Sequence, residues 1–173
     1  CSAPSNLSKM SKLKKTILYA LVIAFGISFA VPSLAADKTK IGSIYIPSLN
    51  TKGDIVDTST IVGLGADLWH RGKGEPGNST YKNVVLAGHR TVNLSKNVPF
   101  NNLPSMKKGD KIEILWKGTN YVYEVYETKI VTPTDISIEF NTPEQTLTMY
   151  TCVYNFNAKN RFMVRAHLVE EKK

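Results

Sequence analysis

The feature that most constrains the fold of this chain is a series of short segments rich in β-branched and aromatic residues, separated by Gly, Pro, Asn and Asp. Segments of this kind, repeated at short intervals, are typical of all-β sandwiches and barrels. Gly118 to Asn120 are expected to connect two of these segments as a β-hairpin. The predicted strands cover residues 41–46, 84–87, 111–116, 121–131, 146–151 and 161–169.

The sequence after residue 36 predicts few helices. No helical period of useful length appears after residue 36, and only short helical turns are expected, around residues 61–69 and 98–106. Prolines keep the second turn brief, because a proline lacks the N–H that a helix interior needs. Residues 69–81 are rich in Gly and polar residues and are predicted to form a surface loop.

The first 36 residues have the pattern of a targeting segment. Four lysines precede residues 16–36, a stretch of 21 uncharged residues that is close to the roughly 20 needed to span a bilayer. Small residues at its end suit a signal peptidase, so cleavage and retention as an anchor both stay open. The predicted organisation is residues 1–9 upstream of the natural start at Met10, residues 10–36 as a signal peptide or membrane anchor, and residues 37–173 as one exported domain.

The charge of the chain does not single out nucleic acid as a partner. The net charge is +8, and it falls to +4 when the four lysines of the leader are set aside. The remaining basic residues are scattered among acids, with no basic stripe and no interleaved aromatic platform. We therefore predict no nucleic-acid partner, and at most a weak attraction to anionic polymers of the cell envelope.

Cys152 is the one cysteine after the leader, so it has no partner for an intramolecular disulfide. A single thiol is unusual in an exported protein and is a candidate nucleophile. Such a thiol needs a neighbouring base or cation, and acyl transfer also needs donors for the oxyanion that develops. His89 follows one predicted strand and Arg161 begins another, and strand ends can converge on one rim of a sheet. The nine positions from Cys152 to Arg161 suit a loop that returns the next strand antiparallel beside the first.

Each of these three residues also has an ordinary structural interpretation. A lone cysteine is most often a small buried hydrophobic residue, a lone histidine a satisfied polar residue, and an arginine at the start of a strand an edge charge. Separately, the ordinary interpretations are the better ones. Together, the three residues form a more specific pattern.

Six blocks of sequence extend this pattern in order along nearly all of residues 41–169. They read IGSIYIPSLN from residue 41, VVLAGHR from 84, KKGDKIEI from 107, YVYEV from 121, TLTMYTC from 146 and RFMVRAHL from 161. This ordered set resembles the sortases, the cysteine transpeptidases of the bacterial envelope. The most specific part of the resemblance is a strand that ends in Thr-Cys, with an arginine opening the next strand.

The resemblance implies a role for each residue of the site. Cys152 would attack the scissile carbonyl of a sorting-signal peptide and form a thioacyl enzyme. His89 would act as general acid toward the leaving amine and then as base toward the incoming amine. Arg161 would hold the substrate backbone and stabilise the oxyanion, and Thr151 would line the same pocket. Arg165 shares a strand face with Arg161 and competes for its role, so it stays a candidate substrate-binding residue, although the spacing in the family favours Arg161.

The same resemblance implies a closed, eight-stranded, mixed β-barrel over about residues 38–171, which is the size of a small closed barrel. The protein would cut a substrate protein at an LPxTG-like C-terminal signal and pass it to an amine acceptor, either a peptidoglycan precursor or a pilin lysine. It would act at the extracytoplasmic face of the membrane, with no cofactor and no metal. Class D, E or F sortases are the most similar, with E or F preferred. No lid segment is apparent between residues 37 and 41, which favours wall anchoring.

Three other readings of the sequence stay open beside this one. The first is a pilin-polymerising sortase. The second is a noncatalytic envelope binding module on the same barrel, although the complete set of Cys152, His89 and Arg161 speaks against it. The third is another cysteine peptidase family, but here the histidine precedes the cysteine, unlike in papain-like enzymes, and the Ser-His-Gly-Cys run of L,D-transpeptidases is missing. The unspaced histidines make a metal site a poor interpretation.

Overall fold

The structure of the protein is a computed structural model that describes residues 37–60, 63–92, 97–153 and 160–172. The predicted leader, residues 10–36, lies outside the described residues. In the described part of the chain, no helix has both the length and the apolar character needed to cross a bilayer.

Eight strands close into one barrel, with neighbours in the order β1-β2-β3-β4-β7-β8-β6-β5. The pairs β2–β3 and β4–β7 are parallel, and the other pairs are antiparallel. The all-β prediction of a closed, mixed, eight-stranded barrel with short helical turns is therefore confirmed. The strands are β1 (Thr39–Ile46), β2 (Thr51–Asp57), β3 (Leu68–Arg71), β4 (Asn83–Ala87), β5 (Lys111–Trp116), β6 (Thr119–Val131), β7 (Thr146–Cys152) and β8 (Arg161–Lys172), with 3-10 turns η1 (Pro47–Leu49), η2 (Leu103–Ser105) and η3 (Ile136–Glu139).

The barrel forms because the strands alternate apolar and polar residues with a period of two, so that one face of each strand points inward. Along β7, Leu147, Met149 and Thr151 are almost fully buried and lie on the inner face. Each fully buried Leu, Ile or Met side chain contributes about 1.5–3 kcal/mol to the free energy of folding. Tyr150 and Cys152 lie on the opposite, outer face and are only half-buried.

The sequence did not predict β2 and β3. Strand β2 has the composition TKGDIVD, in which Gly and charged residues hide the alternation, and it becomes a strand through its pairing with β1. Strand β3 has only four residues. It was expected to be part of a helical turn at 61–69 and of a surface loop at 69–81, and both expectations are wrong for its residues. Backbone pairing of residues 69–71 with β4 overrides the local composition.

The turns follow the predictions more closely. The helical turn predicted at 98–106 contains η2. The β5–β6 hairpin turns at Lys117 and Gly118, one residue earlier than expected, and both residues have positive φ angles of 49° and 88°. Two consecutive residues with positive φ match the right-handed twist of the flanking strands.

A long connection between β6 and β7 covers part of the outer surface of the barrel. We call residues 132–145 the β6–β7 connection; it contains η3. Ile138 from this connection packs with Val131, Met163 and Tyr150 in a small cluster outside the barrel. Asn83 of β4 donates its side-chain amide to the carbonyl oxygens of Ile138 and Phe140, at 3.1 and 2.8 Å. A wall is thereby built over the outer faces of β4, β7 and β8.

Candidate active site

Cys152 and Arg161 are brought together by the antiparallel pairing of β7 and β8. Cys152 is the last residue of β7, Arg161 is the first residue of β8, and the two are direct partners in the register. The amide of Val153 donates to the carbonyl oxygen of Asn160 at 3.0 Å, which continues the ladder beyond the pair. The nine-residue interval therefore does return the chain antiparallel, as the sequence predicted.

His89 reaches the same place through the parallel pairing of β4 and β7. Ala87 is the register partner of Tyr150, and the amide of Gly88 donates to the carbonyl oxygen of Tyr150 at 3.2 Å. Two residues further along both strands are His89 and Cys152. Because parallel strands advance together, His89 is carried to the level of Cys152.

Thr151 stabilises this junction from the inner side. Its side chain is 1% exposed, and its hydroxyl donates to the carbonyl oxygen of Gly88 at 2.8 Å. This bond ties the residue before His89 to the residue before Cys152. Thr151 was expected to line the pocket, and the structure gives it this bond as well.

These four residues line one cleft of about 300 Å³ between the strand ends and the β6–β7 connection. The cleft is open to solvent, and Cys152 is half-buried in its wall. A thiol, an imidazole and a guanidinium on one cleft can supply a nucleophile, an acid–base group and an oxyanion donor. The full lining is Trp69, Arg71, Ala87, Gly88, His89, Thr132, Pro133, Asp135, Ile136, Ile138, Glu139, Tyr150, Thr151, Cys152 and Arg161.

The structure does not bring Arg165 to this cleft. Arg165 pairs with Thr148 and Glu127 in the two neighbouring strands, four residues along β8 from Arg161. Its guanidinium lies 3.8 Å from the Glu127 carboxylate and borders a separate cavity of about 60 Å³. Arg161 and Arg165 do share a strand face, as predicted, but Met163 lies between them on that face and is buried under the β6–β7 connection.

A larger depression of about 710 Å³ lies over the outer faces of β1, β2 and β5. Its lining combines Lys40, Lys52, Asp54 and Glu113 with other polar and apolar residues, and no cysteine or histidine is among the described residues that line it. Of these two depressions, the smaller cleft is the one whose lining includes both Cys152 and His89.

The cleft also contains a hydrogen-bonded group of residues that the sequence pattern did not predict to be part of the site. Arg71 donates to Glu139 through Nε at 2.7 Å and through Nη2 at 3.1 Å, and the hydroxyl of Tyr150 donates to Glu139 at 2.6 Å. The hydrogen bond to Glu139 raises the pKa of Arg71 although burial lowers it. Burial, followed by the bond to Glu139, raises the pKa of Tyr150 well above that of a free tyrosine, so its hydroxyl stays a donor. No local pattern predicts a pair that is 68 positions apart.

A closed mixed barrel with a cysteine, a histidine and an arginine on one cleft defines a class of β-barrel proteins with a cysteine-centred site. The sortase domain family matches residues 44–169, so the chain belongs to the sortase family. The resemblance seen in the sequence is thereby confirmed at the level of the family.

Named relatives agree with this assignment. Sortase A of Bacillus anthracis is 33% identical over 82% of this chain and 66% of its own length. Sortase D of Bacillus subtilis is 30% identical over 71% of this chain and 61% of its own length. The chain thus spans less than two thirds of the length of both relatives. These relatives are of different classes, and the preference for class E or F stays a prediction.

Solved structures agree as well. The structure of sortase A from Listeria monocytogenes superimposes with a TM-score of 0.70 at 28% identity, and the match covers 78% of this chain and 90% of that one.

Proposed function

We propose that this protein is a cysteine transpeptidase that cleaves a C-terminal sorting signal and transfers the released acyl group to an amine. The observation that carries the proposal is the convergence of Cys152, His89 and Arg161 on one cleft. Membership of the sortase family supports it.

In the first half of the reaction, the thiol of Cys152 gives its proton to His89 and its sulfur forms a bond to the scissile carbonyl carbon, and the carbon–nitrogen bond of the peptide then breaks. His89 gives its proton to the departing nitrogen. Arg161 donates to the carbonyl oxygen while it carries negative charge. The products are a thioester on Cys152 and a free amine.

In the second half, an incoming amine attacks the thioester carbonyl. His89 now accepts a proton from that amine and the carbon–sulfur bond breaks, and His89 then passes the proton to the sulfur, which regenerates the thiol. Water in place of the amine would give hydrolysis. The same three side chains therefore serve both halves of the reaction.

The substrate we propose is a protein with an LPxTG-like signal, and the acceptor is an amine of the cell envelope. The lining of the cleft includes Pro133, Ile136 and Ile138, and these residues suit the apolar part of an extended peptide. We place the protein at the extracytoplasmic face of the membrane, held or delivered by residues 10–36, with wall anchoring as its task. The domain would extend over residues 37–173.

The experiment is mass spectrometry of the purified protein, incubated with LPxTG-like and LAxTG-like peptides. A thioacyl adduct on Cys152 that turns into a new amide when an amine is added is the expected result. Glycine peptides and a lysine-bearing pilin-like peptide, offered in parallel, separate wall-type acceptors from pilin-type acceptors.

Cys152→Ala is the matched control and should give neither adduct nor product. His89→Ala should form both far more slowly. If the folded protein binds a peptide of the panel with Cys152 unmodified and the peptide intact, the noncatalytic binding module is the better answer. No adduct and no binding with any peptide would contradict the proposed substrate class.

A further inference from the structure

Three side chains from three separate elements form one bonded chain along the wall of the cleft. Glu139 of η3 is at its centre. Its Oε1 accepts from Arg71 Nε of β3 and from the Tyr150 hydroxyl of β7, and its Oε2 accepts from Arg71 Nη2. All three residues line the cleft that contains Cys152.

Burial of apolar surface anchors this wall only weakly. Ile136 is 66% exposed and Phe140 is 59% exposed, so one apolar residue of η3, Ile138, is buried against the barrel. The polar contacts therefore carry much of the attachment. The Arg71 and Glu139 side chains are 32% and 25% exposed, which strengthens their bonds beyond those of a typical surface ion pair.

Arg71 is itself held in place. Its guanidinium lies over the ring of Trp69 at 4.4 Å from the ring centroid, and both residues belong to β3. A guanidinium stacked on an aromatic ring and bonded through two nitrogens has a defined position. The wall is thus attached to a rigid point of the barrel.

Tyr150 connects this attachment to the nucleophile. It lies two residues before Cys152 on the same outer face of β7, and its ring packs against Val131, Ile138 and Met163. Its hydroxyl reaches Glu139 at the end of the side chain. The length of the tyrosine, together with the bonds from Asn83 to the carbonyl oxygens of Ile138 and Phe140, therefore determines how far η3 lies from the strand that carries Cys152.

We propose that Glu139, bonded to Arg71 and Tyr150, is a positioning residue that fixes the width of the cleft, so that the wall is in place before the substrate peptide arrives. The expected effect on substrate binding rests on the proposed function. The expected effect on the order of the wall rests only on the hydrogen bonds between Arg71, Glu139 and Tyr150. A wall that is already ordered costs no ordering entropy at binding. Loosening it therefore weakens substrate binding more than it slows the chemical step.

The test compares Glu139→Gln, Glu139→Asp and Tyr150→Phe with the unchanged protein. Glu139→Asp keeps the charge and shortens the side chain by one methylene. If the length of the Glu139 side chain determines the width of the cleft, Glu139→Asp should be no better than Glu139→Gln. If only its negative charge matters, Glu139→Asp should restore function. Glu124→Gln is the matched control, because Glu124 forms a salt bridge with Lys111 on the β5–β6 pair, outside the cleft.

The first measurement is peptide transpeptidation. We expect both Glu139 variants to raise KM for the sorting peptide about tenfold or more, with kcat within about threefold, and Tyr150→Phe to have a smaller effect of the same kind. The rate at which iodoacetamide alkylates Cys152 should not change, since that reagent needs no wall. The proposal would be overturned if KM stayed unchanged in the Glu139 variants, whether or not kcat fell. Full rescue by Glu139→Asp would also overturn it.

The second measurement is hydrogen exchange of the backbone amides, which needs no activity. Exchange in residues 136–140 should accelerate about tenfold or more in the Glu139 variants, while β7 stays protected. Unchanged exchange at 136–140 would refute the positioning role even in a protein that turns over no peptide. A failure of the proposed function is recognised separately, because the unchanged protein itself would then form no thioacyl adduct.

Discussion

Cys152 and Arg161 are direct register partners across the β7–β8 pair, so the candidate nucleophile and the candidate oxyanion donor share one backbone rung. The position of each is determined by strand pairing. Sites built on strands hold their geometry better than sites built on loops. This relationship distinguishes the two arginines of β8.

Arg161→Ala should lower kcat/KM for peptide cleavage by about 10²–10³, because the loss of one oxyanion donor typically costs that much. Arg161→Lys should recover only part of the loss, since an ammonium cannot reproduce the fork of a guanidinium. Arg165→Ala is the control and should stay within a few-fold of the unchanged protein. Initial rates with a fluorogenic sorting peptide measure all three, and the reverse ranking of the two alanine variants would refute the assignment.

Thr151→Val should remove the bond to the Gly88 carbonyl while keeping the shape of the side chain. A buried hydrogen bond lost in this way costs about 1–3 kcal/mol of stability. Turnover should fall as well, because Gly88 precedes His89. Thr151→Ser keeps the hydroxyl and should retain most of both. Urea unfolding and thioacyl formation are the measurements, and native turnover in Thr151→Val would show that this bond does not position His89.

Gly88→Ala should destabilise the protein by about 1–3 kcal/mol through overpacking. A Cβ at this position would lie 2.6 Å from Leu68 Cδ2 and 2.7 Å from Phe100 Cδ2, and both of these side chains are fully buried. Combined with Leu68→Ala, the change should cost less than the two single effects together, because the two sites share one space. Urea unfolding midpoints of the two single variants and the double variant are the measurement. If the losses of stability were strictly additive, the Cβ at position 88 would not clash with Leu68.

Alkaline stability depends on Tyr123, which is completely buried. Burial raises the pKa of Tyr123 well above the ordinary value of 10.0. The unfolded chain therefore loses this proton first as the pH rises, and the folded state binds more protons than the unfolded state above about pH 10. Stability from this group is complete below about pH 10 and is lost as the pH rises further.

Tyr123→Phe should weaken that alkaline loss without lowering stability at pH 7, because the Tyr123 hydroxyl has no hydrogen-bond partner in the described part of the chain. Tyr150 also has a raised pKa and should leave a residual loss. Tyr81→Phe, at a ring that is 41% exposed, is the control substitution. Unfolding free energies between pH 7 and 11 are the measurement, and a large loss of stability at pH 7 in Tyr123→Phe would contradict this account.

Much of the barrel was predictable from local pattern. Six of the eight strands were predicted from their β-branched and aromatic residues, and the 111–116 prediction matches β5 (Lys111–Trp116) residue for residue. Strands β2 and β3 were not predicted, because β2 contains Gly and charged residues and β3 has only four residues, so neither shows a clear alternation of apolar and polar residues. Their conformation comes from the neighbours with which they pair.

The site divides in the same way. The sequence by itself determined that a thiol, an imidazole and a guanidinium stand at the ends of strands. The interval from Cys152 to Arg161 was sufficient to predict their approach, because the two residues are only nine positions apart in the sequence. His89 lines the same cleft as Cys152 only because β4 and β7 pair in parallel. Glu139 meets Arg71 and Tyr150 only because the β6–β7 connection folds over that pair. Strand order and the seating of the connection depend on which arrangement buries the whole core, and that free energy is a sum over residues far apart in the chain, which no local pattern contains.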